Sequence, residues 1–174
     1  WQDMAATGEA VGKAGRRSVG LYMGVGSPTT LSAQQLDELC TRLEDSFDLT
    51  HLREYTVEAG RPDTITRDKL EALKKHGVRR VSVNPQTMSD GVLEAIGRKH
   101  TAQDIVDALG LVREVCGVDV NMDLIAGLPT DSPEGFADTL TRVLSLAPEN
   151  VTVHTLSLKR GSTLTVTGGA LPEA

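Results

Sequence analysis

Asp123 lies inside the run Val120-Asn121-Met122-Asp123-Leu124-Ile125-Ala126-Gly127-Leu128-Pro129. A carboxylate among such apolar neighbours is costly to bury unless it is paired or bound. Four other short apolar runs carry residues capable of chemistry at or just beyond their ends. Val19 to Met23 leaves through Gly24-Val25-Gly26-Ser27-Pro28-Thr29, Glu54 to Glu58 ends in a carboxylate, Arg80 to Val83 leads to Asn84-Pro85-Gln86, and Asn150 to Leu158 contains His154, Thr155 and Ser157. Two glycines let a backbone come close to a ligand. Carboxylates suit hydroxyls or an amine, an amide serves as donor or acceptor, and Arg98 suits a carboxylate. Such a set matches an amino-acid-like ligand bearing a ribose. For each residue alone, a helix cap or a loop hydrogen bond is the reading that starts ahead. Recurrence at the same end of five consecutive runs favours one shared pocket.

The elements that must position these residues alternate. Short apolar runs separated by amphipathic stretches indicate strand-helix units around a parallel sheet, whose strand ends carry the site. Ser32 with Gln35 forms a capping-box pattern, and Ser132-Pro133-Glu134 places Pro at the first helical position. Thr66, Ser89 and Thr101 read as further caps. Leu36, Leu39, Cys40 and Leu43 make an apolar stripe, as do Phe136, Leu140, Val143 and Leu144. Lys74-Lys75-His76-Gly77 closes a helix with cations and glycine. Residues 1–17, rich in Ala and Gly, have no clean period and are expected to be a poorly defined segment, either a frayed helix or a damaged start. The core is expected over 18–162, with a tail over 163–174.

At 174 residues the chain is long enough for one core without staples. Cys40 and Cys116 fall in the apolar rhythm of helices, which indicates buried thiols and a reducing, cytoplasmic setting. No run approaches the roughly 18 apolar residues of a membrane span. A net charge of -6 and 3% aromatic content argue against nucleic acid as the partner. The four histidines show no helical i, i+4 pair, and no P-loop, Cys-rich metal box or Ser-His-Asp order is present. No residue is assigned as catalytic or as a metal ligand.

Five segments in order, Gly24 to Thr29, Val57-Glu58-Ala59-Gly60-Arg61-Pro62, Arg80 to Gln86, Ile96-Gly97-Arg98-Lys99-His100 and Asn121 to Pro129, resemble radical SAM enzymes over about residues 18–162. More narrowly they resemble the oxygen-independent coproporphyrinogen III oxidase group. The resemblance implies an α/β fold, a partial (β/α) barrel of about five parallel strand-helix units. It also implies S-adenosylmethionine (SAM) and a 4Fe-4S cluster at the strand ends. By resemblance Gly24, Gly26 and Ser27 contact the methionyl amine, Glu58 and Asp123 the ribose, Gln86 and Arg98 the carboxylate, and Ile125 and Ser157 the adenosyl part. Family members use a SAM-derived radical to decarboxylate porphyrinogen propionates in haem biosynthesis, so a porphyrinogen is the implied substrate.

The sequence departs from that family in three places. The Cys-x3-Cys-x2-Cys cluster loop and the strand before it are missing, Gly-Val-Gly-Ser replaces the usual Gly-Gly-Gly-Thr, and the substrate-covering C-terminal domain is absent. The expected identity is therefore an internal fragment that retains the SAM pocket and lacks the cluster ligands. Its Val19 to Met23 strand becomes an edge unless residues 1–18 cover it. The alternatives are a haem-carrying chaperone, with His154 or His100 as axial ligand, and an inactive remnant.

Overall fold

The computed structural model describes residues 1–24 and 27–157. In chain order these form α1 (Gln2–Lys13), β1 (Gly20–Met23), α2 (Ala33–Ser46), β2 (Glu54–Gly60), α3 (Arg67–Lys75), β3 (Arg80–Gln86), α4 (Asp90–Ala95), α5 (Ala102–Val115), β4 (Asp119–Ala126), α6 (Pro133–Ser145) and β5 (Asn150–Thr155). Single 3-10 turns follow β1 at Pro28–Thr30 and β2 at Pro62–Thr64. The five strands pair in parallel in the order β1-β2-β3-β4-β5. Sequential order with crossovers of one hand keeps the helices on one face and curls the sheet, which gives the expected α/β half-barrel.

Alternation along each strand divides the sheet into a dry and a wet face. Tyr55, Val57, Ala59, Val81, Val83, Val120, Met122 and Leu124 pack outward into one core with Leu36, Cys40, Leu70, Leu73, Ile105, Leu109, Val112 and Val143 of the helices. The other face carries Tyr22, Glu54, Thr56, Glu58, Arg80, Ser82, Asn84, Asn121, Asp123, Asn150 and Thr152, joined by hydrogen bonds between strands.

Several boundaries differ from the sequence reading for a local reason. β3 continues three residues past Val83, through Pro85. Proline has no N–H for the ladder, and the β3–β4 register breaks between Val83 and Gln86. β2 runs on to Gly60, whose φ of +64 accompanies a second register shift. β5 ends at Thr155, and Leu158 lies outside the described residues.

The capping boxes of Ser32 with Gln35 and Thr101 with Asp104 are formed, and Ser132 caps α6 through the Gly135 N–H. Thr66 and Ser89 stand at N-cap positions without a side-chain cap bond, and the Thr66 hydroxyl turns to Asp68. Cys40 is buried as expected. Cys116 is half-buried at the C-cap of α5, not within the helix.

Residues 2–13, which show no period in the sequence, form α1. This helix rests on α2, with Gly8 against the Ser46 backbone, and β1 remains an edge of the sheet. Tyr22 of β1 and Val153 of the opposite edge strand are exposed. No helix of the described residues is long and apolar enough to cross a membrane.

Candidate functional site

The C-terminal ends of the strands bring four residues of the first three strands into direct contact. Glu58 is half-buried on the concave face of β2. Its Oε1 accepts from Asn84 Nδ2 at 2.8 Å and its Oε2 from the Tyr22 hydroxyl at 3.3 Å. Gly24 leaves β1 beside them. A Cβ there would lie 2.3 Å from the Tyr22 ring and 2.9 Å from Glu58 Oε2, so a side chain does not fit without displacing the carboxylate's surroundings. Burial, followed by the charges of Glu58, Asp123 and Glu54, pushes the Tyr22 phenol up from its ordinary value. Of these carboxylates, Glu58 is the one that accepts directly from the Tyr22 hydroxyl.

Asp123 projects from β4, half-buried, with Oδ1 accepting from Asn121 Nδ2 at 2.6 Å. Asn121 is the hub of this side: it also reaches Ser82 Oγ at 3.4 Å and accepts from Asn150 and from Thr152 Oγ1. The amide thus aims the carboxylate. Ile125 follows two residues later on the same face, opposite His154. His154 and Ser157 are exposed, and Ser157 makes no described contact with the Glu58 or Asp123 groups.

The second corner lies at the exits of β2 and β3. Gln86 is 8% exposed with φ +69, a left-handed conformation that costs a side-chain-bearing residue energy. Arg98 is half-buried and forms no ion pair among the described residues. Burial, then the nearby Arg61, lowers its guanidinium from the ordinary value, with Asp63 opposing. Arg98 is thus a partly desolvated cation.

The glycine loop is tied to the β2 exit by Thr29, which is fully buried. Its hydroxyl donates to the Ala59 carbonyl and meets Thr64 Oγ1 at 2.7 Å. Lys69 Nζ bridges the carbonyls of Thr29 and Thr64 at 2.7 and 3.1 Å. Ser27 takes φ +52, with its Oγ 2.8 Å from where a Cβ of Gly60 would stand. Gly26 lies outside the described residues. Gly24 and Ser27 line a cleft of about 410 Å³ that runs along the open β1 edge to Leu39 and Leu43.

The sequence signal for Tyr22 and Asn121 was their two-residue spacing from Gly24 and Asp123, which puts each pair on one face of a strand. Thr29 and Lys69 had no such signal, because they meet across 40 residues.

These groups fit a SAM-like ligand. Asn84 Oδ1 is buried without a partner and is ready to accept from a ligand amine or hydroxyl. Glu58 and Asp123 offer carboxylates, and Arg98 offers a free cation for a carboxylate. An iron-sulfur cluster does not fit the residues present. It requires thiolates, and the two cysteines, Cys40 within α2 and Cys116 at the C-cap of α5, carry thiols that burial pushes up. No group of metal-ligating side chains occurs among the described residues.

The chain is similar to known proteins in sequence and fold. The Radical SAM superfamily profile matches residues 3–143, which includes α1. The oxygen-independent coproporphyrinogen-III oxidase-like protein HemZ of Bacillus subtilis is 44% identical over 83% of this chain and 29% of its own length. The heme chaperone HemW of the same organism is 36% identical over 78% of this chain and 36% of its own. The structure of coproporphyrinogen III oxidase HemN from Escherichia coli superposes with a TM-score of 0.74 at 31% identity, covering 90% of this chain and 37% of that one. The chain thus spans about a third of the length of the relatives it matches.

Proposed function

The chain belongs to the radical SAM superfamily, within the group that holds HemN, HemZ and HemW, and we propose that it is the SAM-binding portion of a coproporphyrinogen oxidase-like protein. The observation that carries this reading is the Glu58–Asn84 pair, held against a glycine exit with one buried amide oxygen left open. Glu58 and Asp123 receive the ribose hydroxyls. Gln86 and Arg98 receive the amino-acid carboxylate, and Gly24, Gly26 and Ser27 approach the methionyl amine. Ile125 and Ser157 border the adenosine.

When bound together with a reducing cluster, SAM supplies radical chemistry of the kind that cofactors, not side chains, carry. The chain's own groups place the nucleoside and neutralise its charged end. Because the cluster does not fit these residues, no chemical step is assigned to the chain by itself. Oxidative decarboxylation of a porphyrinogen is the activity proposed for the whole protein, supported by the named relatives.

The test is a titration with S-adenosylhomocysteine followed by saturation-transfer NMR. Weak, saturable binding is expected, and Glu58→Ala or Asp123→Ala should weaken it at least about fivefold, the equivalent of one net hydrogen bond. Equal binding by wild type and both variants removes the assigned roles.

A further inference from the structure

Gln86 keeps a φ of +69, a left-handed conformation that persists in a residue with a side chain only where the surroundings impose it. Pro85 before it has no N–H for the ladder, and the β3–β4 register shifts between Val83 and Gln86. On the β4 side Gln86 is paired with Leu124. The remaining freedom lies in the chain that follows it.

That chain is fastened to α6. Thr87 and Thr139 are 0% and 1% exposed, and their hydroxyl oxygens meet at 3.1 Å. The Met88 N–H donates to Thr139 Oγ1 at 3.2 Å, and the Ser89 N–H donates to Thr87 Oγ1 at 3.2 Å. Three residues further along the same face of α6, Arg142 Nη1 donates to the Met88 carbonyl. Both backbone polar groups of Met88 are therefore bonded to α6, and the Thr87 side chain is bonded to it as well. Two buried threonines do more here than fill space, since two valines would leave the Met88 and Ser89 N–H groups without these acceptors.

We infer that Thr139 and Arg142 are positioning residues: by holding Thr87 and Met88 they keep the Gln86 backbone in its left-handed turn, and so keep the Gln86 amide where it takes the ligand's carboxylate. This rests on the SAM reading given above. Neither side chain is assigned a ligand contact; both act through the loop. α6 is the crossover from β4 to β5, so the helix that follows the Asp123 strand steadies the exit of the Gln86 strand.

Two ligands separate positioning from general support. S-adenosylhomocysteine carries the amino-acid carboxylate; methylthioadenosine has the same nucleoside without it. Affinities for both are measured on the full chain as wild type, Thr139→Val, Thr139→Ser and Arg142→Met, with thermal melts alongside. Thr141→Val is the control, because its exposed hydroxyl bonds the Ala137 carbonyl of its own helix. Thr139→Val should weaken S-adenosylhomocysteine about 5- to 10-fold, the scale of one hydrogen bond, and leave methylthioadenosine unchanged. Thr139→Ser, which restores the hydroxyl, should recover most of the loss, and Thr141→Val should change neither affinity. Arg142→Met leaves Thr139 in place and removes one bond from the exposed side of α6, so it carries the test if Thr139→Val does not fold; the same selective loss is expected. Unchanged S-adenosylhomocysteine binding by folded Thr139→Val, or by Arg142→Met in its stead, overturns the inference. So does an equal loss for both ligands, which would mark residues that serve the fold alone. Wild type that binds neither ligand overturns the SAM reading itself, and this inference with it.

Discussion

Replacing Thr29 by Val should loosen the fold at the point where the glycine loop meets the β2 exit. The side chain is fully buried, and Val keeps its shape, so no cavity opens. What is lost is the hydroxyl, with its bond to the Ala59 carbonyl and its 2.7 Å contact with Thr64 Oγ1. The one hydroxyl proton of Thr64, 2.8 Å from Arg61 O and 3.3 Å from Ala59 O, can turn to the Ala59 carbonyl in its place. The cost should therefore sit near that of one or two net hydrogen bonds, about 1–2 kcal/mol, and below the roughly 3 kcal/mol of an orphaned buried group. With a urea dependence of about 2 kcal/mol per molar, the unfolding midpoint should fall by about 0.5–1 M. Far-UV circular dichroism across a urea series reads it. Thr30→Val is the control: its hydroxyl is exposed and bonds only Ser27 O, so its change should stay within about 0.5 kcal/mol. Equal midpoints for the two variants would refute the claim that buried Thr29 ties the two exits together.

Gly8→Ala should destabilise the packing of α1 on α2 by about 1–3 kcal/mol despite the better helix propensity of alanine. The added Cβ would lie 2.0 Å from the Ser46 carbonyl oxygen, and hydrogen exchange of the α1 amides measures the loss; greater protection would contradict it. Stability should also fall on acidification. Hydrogen bonds from Lys75 and His76 hold Asp37 below its ordinary 3.8, those from Thr50 and Thr66 hold Asp48 and Asp68, and the Thr101 backbone and hydroxyl hold Asp104. A depressed folded value means stabilisation that is present above the unfolded value and lost as pH falls through the folded one. The urea midpoint should therefore drop below about pH 4, less steeply in Asp104→Asn, and a flat profile would contradict the assignment.

Much of the architecture is legible residue by residue because its determinants are local. Ser32 and Gln35 lie one turn apart and make their box wherever that helix sits, and Leu36, Cys40 and Leu43 mark its buried face without reference to a partner. The strand starts at Glu54, Arg80, Asp119 and Asn150 agree with the structure for the same reason. α1 was not legible: its docking depends on a missing side chain at Gly8 meeting the backbone of another helix, and no period records that. The extension of β3 was hidden by Pro85, which ordinarily ends a strand and here breaks only its register.

For the site, the sequence by itself determined which residue types stand at the strand exits, since alternation and glycine placement are properties of single segments. Glu58, Asp123 and Gln86 are recognisable on those terms, whereas Arg98 lies between α4 and α5. Which of them meet was decided only by tertiary structure. Parallel register places Tyr22 and Asn84, 36 and 26 residues away, on the two oxygens of Glu58. It also makes Asn121 a hub for three strands. Pairing between strands is a non-local choice, set by how the outward apolar face packs under the helices, and so no single run of residues contains it.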